Sequence, residues 1–119
     1  MQRIKAKPTW EWLAPRIFLD QDDPERPRVV WRGYPRNVSP RAVAYLQELR
    51  RYPYAWLSVA DIVAAVEGPA PVTSTEVAAR DLAKLLMISA IGNYLHHQDG
   101  GLWCWTPVPP GIGGPQKLV

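Results

Sequence analysis

The 119-residue sequence predicts one domain of the α+β class, mainly α, in which three helices precede a C-terminal β-hairpin. Three observations lead to this fold class. Apolar residues recur at helical spacing in three segments after residue 38, and each segment begins at a capping signal. A turn-forming run, 98–101, separates two short segments near the C-terminus. The thirteen prolines cluster mainly outside the predicted helices.

Residues 1–38 predict an extended arm, because prolines interrupt the segment and no helical apolar period is sustained. The arm is nevertheless rich in large apolar side chains, so we expect short strands that pack on the core or on a second subunit. The polar run 20–28 predicts a loop between these strands.

The first two helices are predicted from their caps. Ser39 is an N-cap residue followed by Pro40 at the first helical position, and Pro53 ends the helix. Ser58, with Asp61 three residues later, predicts the start of a short second helix. The predicted core positions of the two helices are Ala42, Leu46 and Leu49, then Ile62, Ala65 and Val66.

The third helix is predicted over residues 73–91. Thr73 and Glu76 have the spacing of a capping box, and Gly92 follows the last apolar residue. Four apolar side chains at helical spacing predict the buried stripe: Ala78, Leu82, Leu85 and Leu86.

The hairpin is predicted from Tyr94 to Trp105, and the Gly- and Pro-rich residues 107–119 predict a loose tail. Strand alternation predicts one face with Tyr94, His96, Trp103 and Trp105, and another with Leu95, His97, Leu102 and Cys104. If the leucine face packs inward, the aromatic face is either a stacking platform for single-stranded bases or a surface covered by the arm.

Composition and charge restrict the class of protein. The single cysteine and the absence of a signal-type segment predict a reducing cytoplasmic location, and charged residues interrupt every apolar run before it is long enough to cross a membrane. The net charge of +3 is uneven. Residues 1–57 contain eleven Lys or Arg against six Asp or Glu, a balance typical either of a polyanion-binding arm or of an ordinary solvated surface.

The order helix, short extended segment, helix, turn, longer helix and hairpin resembles a winged helix-turn-helix domain over residues 39–106. Residues 57–62 resemble the start of the second helix of that family, and residues 77–91 with Gly92 resemble its recognition helix and the glycine before the wing. The resemblance implies that residues 1–38, 39–106 and 107–119 are an arm, the domain and a tail. It also implies that helix 73–91 enters the major groove of double-stranded DNA while the hairpin contacts the backbone or the minor groove.

The resemblance and the basic arm together give a set of candidate DNA-binding residues for a transcriptional regulator. The candidates are Ser74, Thr75, Arg80 and Lys84 in the third helix, His96, His97 and Gln98 in the wing, and Arg3, Lys5 and Lys7 in the arm. Later cations of the arm could hold phosphates beside the groove as well: Arg26, Arg28, Arg32 and Arg36. The helical spacing predicts ion pairs of Glu76 with Arg80 and of Asp81 with Lys84, which would partly neutralise the basic residues.

The alternative function is a protein-interaction module that docks on a transcription or replication component through aromatic side chains. The candidate contact residues are Trp10, Trp12, Phe18, Trp103 and Trp105, and the arm is also a candidate homodimer contact.

The sequence predicts neither an enzyme nor a cofactor, because it contains no recognisable catalytic carboxylate pair and no Gly-rich phosphate loop before a helix. His96 and His97 are adjacent on a strand and project oppositely, which argues against a shared metal ion.

Overall fold

A computed structural model describes residues 10–88 and 90–107 of the chain. Within these residues there are three α-helices and seven strands, with 36% of the residues in helices and 28% in strands. The elements in chain order are β1 (Trp10–Ala14), β2 (Ile17–Asp20), β3 (Arg28–Trp31), β4 (Tyr34–Asn37), α1 (Pro40–Arg51), β5 (Leu57–Ser58), α2 (Val59–Glu67), α3 (Thr75–Leu85), a 3₁₀ turn (Ile91–Asn93), β6 (Leu95–Gln98) and β7 (Leu102–Trp105).

The predicted fold class, a mainly α winged helix with an extended arm, is wrong. The described chain begins with a four-stranded antiparallel sheet in the order β1-β2-β3-β4, and the helices follow it. Each strand has only four or five residues, too few for an alternating apolar pattern to stand out in the sequence. Of the prolines that indicated an arm, those in the described residues lie in a tight turn (Pro15), in the loop before β3 (Pro24 and Pro27) and in the edge strand β4 (Pro35), where a missing N–H is tolerated.

Two tight turns give the first sheet its shape. Pro15 and Arg16 connect Ala14 to its partner Ile17, and Arg32 and Gly33 connect β3 to β4. Arg32 and Gly33 both have positive φ, 50° and 83°, as a two-residue type I′ turn requires. Arg16 also has a positive φ, 66°, which costs a non-glycine residue about 1 kcal/mol. The N–H of Arg32 donates to the carbonyl of Arg16 at 3.1 Å, so the two turns lie side by side.

The inner face of the first sheet packs on the helices. Four side chains of this face are buried in the same core as the apolar residues of α1: Leu13, Ile17, Leu19 and Val29. Glu11 accepts hydrogen bonds from Gln47 at 2.9 Å and Arg50 at 2.8 Å, which ties β1 to α1. The outer face carries Trp10, Trp12 and Phe18 and points away from the helices.

The caps predicted for the first two helices are confirmed. The hydroxyl of Ser39 accepts from the N–H of Ala42 at 3.0 Å, and that of Ser58 accepts from the N–H of Asp61 at 3.1 Å. The predicted core residues Ala42, Leu46, Leu49 and Ile62 are buried, whereas Ala65 and Val66 are exposed.

The predicted range and cap of the third helix are wrong. Ser74, not Thr73, is the N-cap residue, and its hydroxyl accepts from the N–H of Val77 at 3.2 Å. The N–H of Thr73 donates instead to the carboxylate of Glu67 at 3.1 Å. The helix ends at Leu85, and Ala90 has a φ of 71°, so the apolar residues after Leu85 do not continue it.

The second sheet contains the predicted hairpin and β5, in the order β5-β7-β6. Gln98 pairs with Leu102 and His97 pairs with Trp103, so the loop has three residues, of which Gly100 and Gly101 have positive φ. An odd loop length shifts the register by one residue relative to the predicted turns. The predicted face assignment is therefore wrong: Leu95, His97, Trp103 and Trp105 share one face.

The described helices include none that is both long and apolar enough to cross a membrane. The arm candidates Arg3, Lys5 and Lys7, and the predicted tail from residue 108 onward, lie outside the described residues.

Candidate functional site

Arg80 and Lys84 are exposed on α3, four residues apart and therefore on the same side of the helix. Within the described part of the chain neither forms an ion pair. Asp81, which was expected to neutralise Lys84, is buried and binds Arg41 of α1, with 2.9 Å between Oδ2 and Nε. This hydrogen bond raises the pKa of Arg41. Both basic residues of α3 thus remain available to bind an anion.

Lys84 lines a cleft between α3, β4 and the start of α1, which we call the α3–β4 cleft. Its volume is about 320 Å³. The polar side chains that line it are Arg36, Asn37, Ser39, Asp81 and Lys84. Because the carboxylate of Asp81 is bound by Arg41, the two other charged groups, Arg36 and Lys84, give the cleft a positive potential.

Two side-chain networks fix the position of α3. Arg41 and Asp81 join it to α1, as described above. The hydroxyl of Tyr45 donates to Glu67 at 2.9 Å, and the same carboxylate accepts from the N–H groups of Val72 and Thr73, both at 3.1 Å. The pKa of Glu67 is lowered, first by the hydrogen bond from the Thr73 side chain and then by that from Tyr45. The start of α3 is therefore held against α1 and α2.

The N-terminus of α3 carries the candidates Ser74 and Thr75, both exposed. The oxygen of Ser74 already accepts the capping hydrogen bond from Val77. These two residues lie at the positive end of the helix dipole, about three turns from its C-terminus.

The hairpin candidates are not brought to α3. The N–H of Val59, at the start of α2, donates to the carbonyl of Gly101 in the hairpin loop at 3.2 Å. His96 is half-buried and its Nε2 lies 2.8 Å from Oγ1 of Thr106; burial lowers its pKa, which favours the neutral ring. His97 stacks on Trp103 with 4.5 Å between ring centroids, and Gln98 is exposed.

The five aromatic candidates for partner contact divide into two groups. Trp103 and Trp105 are each only 2% exposed and belong to the core. Trp10 and Trp12 are 49% and 57% exposed, and with Phe18 they form a cluster in which each ring contacts the two others edge-on, at 5.5 to 5.8 Å between centroids. We call Trp10, Trp12 and Phe18 the aromatic face.

The aromatic face has a groove at each end. At the end formed by the two tight turns, Arg16, Arg32 and Gly33 line a groove with Trp12 and Phe18; we call this the basic groove. At the other end, Asp20 and Asp22 line a groove with all three aromatic residues; we call this the acidic groove. Asp20 is bound by Arg28, whose hydrogen bond is the main cause of its lowered pKa.

Metal binding and thiol chemistry find no support in the described residues. No group of three or more His, Cys, Asp and Glu side chains in them is arranged to hold a metal ion. Cys104 is fully buried, and burial raises the pKa of its thiol, which disfavours the reactive thiolate.

The sequence was compared with protein-family models and with curated proteins. No protein-family model matches the sequence, and no significant match to a curated protein was found.

Arg16 was not among the residues that the sequence indicated, and Arg32 and Arg36 were expected only as cations of the arm that hold phosphates beside the groove. A signal was present for the first two, since Pro15 before Arg16 and Gly33 after Arg32 are typical of tight turns. For Arg36 there was no local signal, because its proximity to Lys84 depends on how the first sheet packs against α3.

Proposed function

We propose that the protein binds double-stranded DNA through α3 and the α3–β4 cleft, in a role in transcription regulation. The observation that carries the proposal is that Arg36 and Lys84, distant in the sequence, line one cleft whose buried carboxylate is already neutralised by Arg41. A phosphate entering this cleft gains two cationic partners and meets no unpaired carboxylate of the described residues.

The basic side chains have different roles in this proposal. Arg36 presents a planar guanidinium that binds a phosphate through two parallel hydrogen bonds, and Lys84 adds a point charge to the same phosphate. Arg80, one helical turn closer to the N-terminus of α3, binds a neighbouring phosphate or a base edge. The exposed hydroxyls of Ser74 and Thr75 add polar contacts at the positive end of the helix dipole. Burial lowers the pKa of His96, which disfavours the charged form that would bind a phosphate.

The test is fluorescence anisotropy of labelled duplex DNA of mixed sequence, titrated with the full chain over a series of salt concentrations. The double variant Arg80→Ala, Lys84→Ala should lose binding, and Arg36→Ala should weaken it. Each lost phosphate contact should lower the slope of log affinity against log salt by about one.

Arg51→Ala is the control, since Arg51 is also an exposed cation, its side chain 68% exposed, but it lies on α1 near Glu48, at 3.5 Å, and does not line the cleft. Absence of binding at low salt would refute the proposal. So would a loss of affinity in Arg51→Ala as large as that in Arg36→Ala, since binding would then depend on total charge and not on the cleft.

A second candidate function, a module that docks on another protein, is favoured by the aromatic face. Two half-exposed Trp side chains in contact with each other and with Phe18 are typical of the centre of a binding surface. Docking of this kind depends weakly on salt, and substitution of Arg80 and Lys84 should leave it unchanged. The same variants therefore separate the two functions.

A further inference from the structure

The aromatic face exposes apolar area that an ordinary solvent-facing sheet does not. Three of the four outward positions of β1 and β2 are aromatic, Trp10, Trp12 and Phe18, and the fourth is Asp20. The neighbouring outward residue of β3, Val30, is buried. The rings touch one another, so the exposed area is one continuous patch. Continuous patches of this type mark contact sites for other macromolecules.

The charges around this patch are divided between its two ends. Arg16 and Arg32 stand at the end formed by the turns, and among the described residues neither is in an ion pair. The opposite end leads into the polar loop, which together with Asp20 and Arg28 contains four carboxylates against two arginines. The aromatic cluster separates the two ends. The face is therefore positive at one end and negative at the other.

We propose that the aromatic face binds the aromatic face of a second copy of this chain, forming a two-fold symmetric dimer. A two-fold axis through the Trp12 and Phe18 pair superposes the aromatic clusters and sets each basic groove against the acidic groove of the other copy. Contacts of this kind require a self-complementary surface, and a face with opposite charges at its two ends has this property.

A nucleic-acid strand fits this face less well. It carries a negative charge at every nucleotide, so a strand stacked on the Trp rings would approach Arg16 and Arg32 at one end and be repelled by the net negative loop 20–28 at the other. The inference uses the surface of the second candidate function and does not depend on DNA binding.

The dimer leaves the α3–β4 cleft open. Arg36 is paired in register with Val29, whose side chain is on the inner face of the first sheet, so the cleft and the aromatic face lie on opposite sides of that sheet. Two copies joined through their aromatic faces would thus present two clefts.

The size of the face sets the strength of the contact. Four strands of four or five residues, spaced about 4.8 Å apart and rising about 3.3 Å per residue, give a surface roughly 15 Å square. This is smaller than the interface of a standard stable complex. The dimer should therefore be weak and should form reversibly.

The experiment is sedimentation equilibrium of the full chain without nucleic acid, over a range of protein and salt concentrations. Arg16→Glu with Arg32→Glu makes both ends of the face acidic, and Asp22→Lys with Asp23→Lys makes the second end basic. Each double variant alone should dimerise at least about tenfold more weakly than the unmodified chain. An equimolar mixture of the two should dimerise again, and this recovery also shows that both variants are folded.

Two further variants complete the design. Trp12→Ser should weaken the dimer at every salt concentration, because it removes apolar contact and no charge. Arg80→Glu with Lys84→Glu carries the same charge change as the first double variant but lies on α3, and should dimerise normally.

A chain that is monomeric at all concentrations would overturn the proposal. A dimer that is insensitive to the face variants, or a mixture that does not recover, would do the same. None of these results bears on binding to duplex DNA, which the Arg36 and Lys84 variants test separately.

Discussion

The same local pattern, two Trp separated by one residue, occurs in a strand of each sheet, and the two pairs have opposite environments. Trp10 and Trp12 in β1 are 49% and 57% exposed, whereas Trp103 and Trp105 in β7 are each 2% exposed. Alternation in a strand ensures that both members of each pair share a face. It does not determine which face of the sheet that is.

The difference comes from the neighbours of each strand. β1 is an edge strand whose intervening residue, Glu11, faces α1 and binds Gln47 and Arg50, so the Trp side chains face outward. β7 is the central strand of its sheet and also contacts α1. Its intervening residue, Cys104, is fully buried, so both faces of the strand are covered. The position of a strand in its sheet, and not its sequence pattern, decides whether its Trp residues are core or surface.

The largest expected effect is on stability. Trp105→Ala should lower the free energy of unfolding by about 3–5 kcal/mol, because it removes a buried ring that stacks on Tyr94 and lies under the guanidinium of Arg50. Trp12→Ala should cost about 1 kcal/mol or less, since its described ring contacts are edge contacts with Trp10 and Phe18. Chemical denaturation at low protein concentration, where the proposed dimer is dissociated, measures both values. Equal losses in the two variants would contradict the division of the Trp residues into core and surface pairs.

A smaller effect is expected at Trp103, whose buried indole Nε1 has no hydrogen-bond partner within the described residues. Trp103→Phe loses ring volume but also removes this unsatisfied N–H, whose burial has a cost of about 1–3 kcal/mol. We therefore expect Trp103→Phe to lower the unfolding free energy by only about 1 kcal/mol. Trp103→Ala should lower it by about 3–5 kcal/mol. If the Phe variant is as unstable as the Ala variant, the indole N–H makes a stabilising hydrogen bond after all.

The starts of the first two helices were the part of the fold that the sequence predicted best. Ser39 and Ser58 are capping residues whose hydrogen bonds involve only neighbours in the chain, so local pattern is sufficient to identify them. The end of α3 was predicted six residues too late, because the apolar residues Leu86 and Ile88 extend the helical pattern beyond Leu85, where the helix stops.

The first sheet and the hairpin register were not predictable in the same way. Four short strands separated by turns and a polar loop carry little periodic signal, and their pairing is a property of the whole sheet. In the hairpin, a two-residue loop and a three-residue loop at 98–101 differ in register by one residue, which changes which side chains of the two strands share a face. Both loops are compatible with Asp99, Gly100 and Gly101.

The candidate site was predicted in part. The sequence indicated Arg80 and Lys84 as exposed cations but paired Lys84 with Asp81, the nearer carboxylate along α3. The actual partner of Asp81 is Arg41, forty residues earlier in the chain, and no local pattern indicates that contact. The proximity of Arg36 to Lys84 in one cleft likewise depends on how the first sheet packs against α3.

The smallest expected effect concerns pH and the second sheet, where His96 is half-buried. Burial lowers the pKa of His96 in the folded chain below its unfolded value of about 6.5. Between the two values the unfolded chain binds more protons than the folded chain. The unfolding free energy should thus be highest above about pH 6.5 and should fall as the pH decreases toward the folded pKa, below which His96 contributes no further change.

Urea unfolding at several pH values between about 7.5 and 5 measures this decrease, at pH values above those where carboxylates such as Glu67 titrate. His96→Gln should remove most of the decrease, because glutamine does not titrate and retains a polar contact with Thr106. His97→Gln is the matched control, since His97 is exposed and adjacent in the same strand, and it should leave the decrease in place. If the two variants behave alike, the pH dependence does not come from the burial of His96 in the second sheet.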